Sequence, residues 1–190
     1  MKYIVRVLFN AISSKIDIDK SKEDIYSYGI ELFLYSVIST LGLVVICIIS
    51  GKLMEGVIII TIYYINQTIG GGFHATTHIR CFLMMAIGLV IALLALELPI
   101  NYIEIGCIIL LSGFILLIFP LVLHRNKAYL ASEAERMSRR ARVAILIEWS
   151  VAFAVGEFGT TTMILSFAIG MMVSAVSRLS AVIQTKSRHI

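Results

Sequence analysis

Three glycines, two histidines and one cysteine fall within residues 69–82, IGGGFHATTHIRCF. Covalent and metal chemistry both draw on these residue types. A cysteine thiolate is the nucleophile that acyl transfer needs. An imidazole can take the thiol proton and return it to a leaving amine. Cys81 is read as opening an apolar helical segment, and a helix N-terminus together with the adjacent Arg80 cation favours an ionised sulfur. Gly70, Gly71 and Gly72 relax the backbone just before His74. The amides of Gly71 and Gly72 are further candidates for holding an oxyanion.

Spacing limits which histidine can serve. On a straight helix, residues 74 and 81 share a face but stand about 10 Å apart along the axis. A hydrogen bond spans about 3 Å. His74 can therefore reach Cys81 only from a bend, loop or unwound turn, which the glycine triplet permits. His78 is three residues before Cys81 and would neighbour it on a regular helix. Local geometry alone chooses His78. A metal reading competes, because His74, His78 and Cys81 form an H-x3-H-x2-C pattern and the two histidines could bind zinc from one face. No glutamate stands between them as in H-E-x-x-H. A structural polar turn is the third alternative, and the residues alone leave all three open.

These groups sit in a chain that is 59% hydrophobic, only 15% charged and carries two prolines among 190 residues. Several long apolar runs indicate a polytopic membrane protein. Lipid restricts such a chain to helices or a closed barrel, and runs without period-2 alternation favour helices. The expected architecture is an all-α integral membrane protein with about six hydrophobic segments, at 27–50, 54–70, 81–98, 102–123, 143–157 and 159–182. The second and fifth are short, with polar intrusions at Asn66, Gln67 and Glu148. They read as tilted short helices or as re-entrant elements. No internal repeat, cleavable signal peptide, nucleic-acid motif or disulfide framework is evident. The organisation is a single membrane-embedded domain over 1–190. Within it, residues 1–22 form an amphipathic interfacial helix with Ile4, Val5, Leu8, Ile12 and Ile16 near one face. A loosely ordered terminus is the bland alternative.

Charge sets the expected topology. If all six segments cross, fifteen of the sixteen Lys and Arg residues fall on one side, leaving only Lys52 opposite. If the two short segments re-enter, the same residues split evenly. The positive-inside rule selects the first arrangement. Both termini, the His/Cys stretch and the basic loop at 124–142 are then cytoplasmic. Cys47 and Cys107 lie toward the other side and read as small buried hydrophobes. Thr162, Ser166, Gly170 and Ser174 recur every four residues, a stripe suited to close helix packing against an internal helix or a second protomer.

The GGGFHATTHIRC block resembles the GG-x-H-A…C signature of the accessory gene regulator protein B (AgrB) family. The seven-residue step from histidine to cysteine is its most specific element. The resemblance covers most of the chain, including YSYGIELF before the first segment, the short polar segment before the glycines, and Pro120 followed by NKAYL and a basic loop. The family often carries a proline after the lysine of that loop, where this chain has Ala128. The resemblance implies a bacterial multi-pass cell-membrane cysteine endopeptidase that cuts a small precursor signal peptide (AgrD-like) in quorum sensing. It implies Cys81 as nucleophile and His74 as its histidine, assigns no role to His78, and requires no cofactor or metal. The product would be a cyclic peptide, formed when a side chain of the peptide displaces Cys81 from a thioester.

Other charged positions carry weaker expectations. Arg125, Lys127, Arg136, Arg139, Arg140 and Arg142 serve topology and anionic-lipid contact, and could also dock an acidic region of the precursor. Glu148, an acid inside an apolar segment, could orient His74 or pair with an arginine in the bundle. Glu31 reads as interfacial, and His124 and His189 as solvated. A different class of function, a non-catalytic membrane module or small transporter with the polar block lining a cavity, remains the alternative. The homodimer that the small-residue stripe permits is a further expectation.

Overall fold

A computed structural model describes residues 2–14, 23–73, 75, 77–122 and 130–187. Among them the secondary structure is helical: α1 (Lys2–Ser13), α2 (Glu23–Ile49), α3 (Leu53–Gly70), α4 (His78–Ala95), α5 (Tyr102–Ile118), α6 (Ala131–Phe158) and α7 (Thr161–Ser187). The chain divides into two compact units, 1–45 and 46–190. In the first, α1 covers the expected N-terminal helix only to Ser13, and residues 15–22 lie outside the described residues. Val5 and Phe9 are its buried pair, whereas Ile4, Leu8 and Ile12 remain exposed on the apolar side. Arg6 faces a cleft also lined by Glu23, Asp24 and Glu31 of α2.

Local chemistry explains where the helices of the second unit begin and end. Asn101 caps α5 in a reciprocal box, its Oδ1 accepting from Glu104 N at 3.0 Å while Glu104 Oε2 accepts from Asn101 N at 2.9 Å. This pairing satisfies donors that the first helical turn leaves open. The expected 102–123 segment stops early, at Ile118. Phe119 leaves the helical region (φ −114°, ψ 65°) because it precedes Pro120, whose ring disfavours helical geometry in the residue before it. The expected break between a basic loop and a short segment at 143–157 is absent. Instead α6 runs without interruption for 28 residues, about 42 Å, so Arg136, Arg139, Arg140 and Arg142 are helical rather than loop residues.

α7 is the central helix and packs chiefly on α3 and α5. More than half of its apolar stretch is buried, against under a third for α2, α3 and α4. The small-residue stripe explains this. Ser166, Gly170 and Ser174 are all buried, and a Cβ at Gly170 would stand 3.1 Å from Ile62 Cβ and 3.3 Å from Ile59 Cα. Small residues let the two backbones approach closely. The stripe therefore serves an internal partner, α3; only Thr162, at its outer end, is exposed.

Large apolar side chains cover the outside. On α4, Ile79, Leu83, Ile87, Ile91 and Leu94 are exposed at helical spacing, as are Ile103, Leu110, Phe114 and Ile118 on α5. Water would penalise such a surface and lipid would not. Among the described residues four helices, α2, α3, α4 and α7, are long and apolar enough to cross a bilayer; α5 follows at 17 residues. The protein is an all-α membrane protein.

The ends of the helices show their directions. Lys52, at the start of α3, ion-pairs with Glu97 beyond α4 and donates to Leu93 O. Tyr102 at the start of α5 hydrogen-bonds Thr161 at the start of α7. At the opposite end, Val122 N donates to Gly70 O at 2.9 Å, and α7 reaches the carbonyls of Phe119 and Pro120. Thus α3, α5 and α7 run one way and α4 the other. α3 traverses the bundle rather than dipping in and returning.

Candidate active site

The polar end of the bundle is built around the break between α3 and α4. α3 stops where Gly71 adopts φ 73°, a left-handed conformation that side chains disfavour. Its N–H closes the last turn on Gln67 O at 3.0 Å, so this amide is committed within the helix terminus. The neighbouring glycines answer to different contacts. A Cβ on Gly70 would lie 2.3 Å from both terminal nitrogens of Arg178, and one on Gly72 would lie 1.8 Å from Gln67 Oε1.

α4 begins one turn before the expected 81–98 segment. Thr77 is its cap, extended at φ −135°, ψ 150°, with its side chain accepting from Arg80 N. Cys81 is the fourth helical residue, donating its N–H to Thr77 O at 3.0 Å, and it is half-buried. His78 lies three residues earlier on the same regular helix and is exposed. His74 lies outside the described residues. Its neighbours Phe73 and Ala75 are non-helical.

A second layer of polar groups ties the end of α3 and α7 to the connection before α4. Gln67 Nε2 donates to Tyr63 Oη at 3.0 Å and to Phe73 O at 3.3 Å. Phe73 N donates to Ser177 Oγ at 3.2 Å. Both backbone groups of Phe73, the residue preceding His74 in sequence, are thereby tied to side chains of α3 and α7.

Beneath this layer lies a buried charge network. Arg178 is 1% exposed. Its Nη1 donates to Phe119 O at 2.9 Å and Pro120 O at 2.6 Å, and its Nη2 to Asn66 O at 2.9 Å. Phe119 and Pro120 follow the last turn of α5, where the helix cannot satisfy their carbonyls, and Asn66 lies in the last turns of α3. Asn66 Nδ2 donates to Glu148 Oε1 at 2.8 Å, and Glu148 interacts electrostatically with Arg178. Glu148 thus enters a network inside the bundle.

Of the other sequence candidates, Arg136, Arg139, Arg140 and Arg142 are exposed on α6, whereas Arg125, Lys127, His124 and His189 lie outside the described residues. Among the described residues no three of His, Cys, Asp and Glu cluster as a metal would need. Cys47 is fully buried as expected; Cys107 is exposed, because α5 turns it away from its neighbours. The sequence pattern assigns no role to Arg178. An arginine followed by LSAVI in an otherwise apolar helix was the available signal, since intramembrane charges seek partners.

The family model for accessory gene regulator B matches residues 4–181. No curated protein and no solved structure matches the chain.

Proposed function

Because the chain belongs to the accessory gene regulator B family, we propose that it is a membrane cysteine endopeptidase that cleaves a precursor signal peptide in quorum sensing. The observation that carries this reading is the position of Cys81: half-buried, in the first turn of α4, just after the break that ends α3 at Gly71. A partly buried thiol at a helix N-terminus is suited to covalent chemistry. His74 is the proposed base, since the connection that carries it is non-helical on both sides.

In the proposed reaction, Cys81 Sγ attacks a backbone carbonyl of the precursor and its proton passes to His74. The S–C bond forms, the C–N bond breaks, and the leaving amine takes the proton from the imidazole. The peptide remains as a thioester on Cys81 until a nucleophilic side chain of the same peptide displaces it and closes a ring. The exposed arginines of α6 would steer an acidic part of the precursor toward this end. The active site and both termini are assigned to the cytoplasmic face on the asymmetry of Lys and Arg.

Co-expression with a candidate precursor tests the assignment. Cys81→Ala and His74→Ala should each abolish cleavage, and His78→Ala should retain it. Cleavage that survives Cys81→Ala would refute the peptidase reading, and dependence on His78 instead of His74 would reassign the base.

A further inference from the structure

Phe73 is held from two helices. Its N–H donates to Ser177 Oγ of α7 at 3.2 Å, and its carbonyl accepts from Gln67 Nε2 of α3 at 3.3 Å. A side-chain amide carries two N–H groups, and Gln67 Nε2 also donates to Tyr63 Oη, one turn earlier on α3, at 3.0 Å. That second bond steadies the amide that reaches Phe73. The residue after Ser177 is Arg178, which bonds Asn66 O of α3 and the carbonyls of Phe119 and Pro120. The helix that carries the serine is thereby fixed against the helix that carries the glutamine. Glycines make the approach possible. Gly71 turns the chain at φ 73°, and a Cβ on Gly72 would lie 1.8 Å from Gln67 Oε1. All of these contacts converge on the residue that one peptide bond joins to His74.

We propose that Gln67 and Ser177 are positioning residues for the reaction: by holding both backbone groups of Phe73, they set where the chain enters His74. The proposal rests on His74 being the base. A base works only within hydrogen-bond reach of the proton it takes, and a misplacement of about 1 Å can cost about a hundredfold in rate. Fixing the preceding residue before substrate arrives removes one source of that misplacement. In this role each side chain acts through Phe73.

The test follows alkylation of Cys81 by iodoacetamide, read by peptide mass spectrometry, in the full-length protein reconstituted in liposomes. The sulfur displaces iodide from carbon, and its proton passes to His74. An unassisted thiol is about 3% ionised at pH 7, so complete loss of the base costs at most about thirtyfold. His74→Ala sets that limit. Ser177→Val loses the hydroxyl and Gln67→Met loses the amide, each with little change of shape. Each should slow labelling at pH 7 by at least about threefold, within the same limit. Ser177→Thr, which keeps a hydroxyl, should recover most of the loss. At about pH 10 an unassisted thiol is ionised, and the variants should label within about twofold of the parent. In the His74→Ala background neither change should slow labelling further. Slowing that persists at high pH, or that adds to His74→Ala, would show a structural role and overturn the proposal. If Ser177→Val does not reach the membrane, Gln67→Met carries the same comparison. His74→Ala that labels like the parent at pH 7 refutes the base itself. Slow labelling of His74→Ala with unaltered labelling of the Ser177 and Gln67 variants refutes only the positioning role.

Discussion

Replacing Arg178 by methionine should unfold the polar end of the bundle before it affects anything else. The guanidinium makes three hydrogen bonds of 2.6–2.9 Å to the carbonyls of Phe119, Pro120 and Asn66. Charge-assisted bonds contribute about 1.5–3 kcal/mol each, and removing one member of a buried charged network costs about 3–5 kcal/mol because its partners stay behind. Methionine fills similar length and donates nothing, so a loss of about 3–5 kcal/mol is expected. Lysine offers one point charge in place of a planar fork and should lose about half as much. Gly70→Ala attacks the same contact from the other side, because its Cβ would meet both terminal nitrogens of Arg178 at 2.3 Å and Pro120 O at 2.5 Å. Its expected cost is about 2–4 kcal/mol. The two changes share one interaction, so the double variant should fall short of additivity by about 1–3 kcal/mol. Reversible unfolding in mixed micelles titrated with SDS measures all four variants. Trp149, the single tryptophan, reports through its contact with Phe114 and its bond to Ile109 O. A methionine variant within about 1 kcal/mol of the parent, or strict additivity with Gly70→Ala, would refute the reasoning.

Two further predictions concern the opposite end and the substrate. Lys52, through its hydrogen bond and its charge, holds the Glu97 carboxyl below its usual range, so the stabilisation from this pair is present above the ordinary carboxylate pKa and is lost as pH falls through the depressed value. Glu97→Gln should remove that acid-side dependence from thermal unfolding curves while leaving stability at neutral pH little changed, because the carboxylate is exposed; an unchanged acid limb would show that the pair is not responsible. Charge reversal at Arg139 and Arg140, both exposed on α6, should reduce precursor processing at low salt more than at high salt while insertion is retained. Unaltered processing with normal insertion would reject docking at this surface.

The hydropathy pattern alone marked six apolar segments, four of which fall on helices long and apolar enough to cross a bilayer, and a separate N-terminal helix, and the GGGFHATTHIRC block marked the family. Such features are legible because they depend on residues within a few positions of one another: an apolar run of span length, a glycine before a bend, a cysteine seven residues after a histidine. The start of α4 moved from Cys81 to His78 because the Thr77 cap, not hydropathy, sets it. The continuity of α6 is not visible in hydropathy, because charged arginines end the apolar run without ending the helix.

What tertiary structure alone decided involves partners far apart in the chain. The bonds of Arg178 span 58 to 112 residues, that of Glu148 to Asn66 spans 82, and that of Phe73 to Ser177 spans 104. No periodicity encodes which carbonyl an arginine will reach, or that the small-residue stripe of α7 faces α3. Those outcomes follow from packing α7 at the centre, where lipid cannot satisfy a polar group and each buried donor must find an acceptor on a neighbouring helix. The same constraint ties Phe73, the residue before His74 in sequence, to Gln67 of α3 and Ser177 of α7.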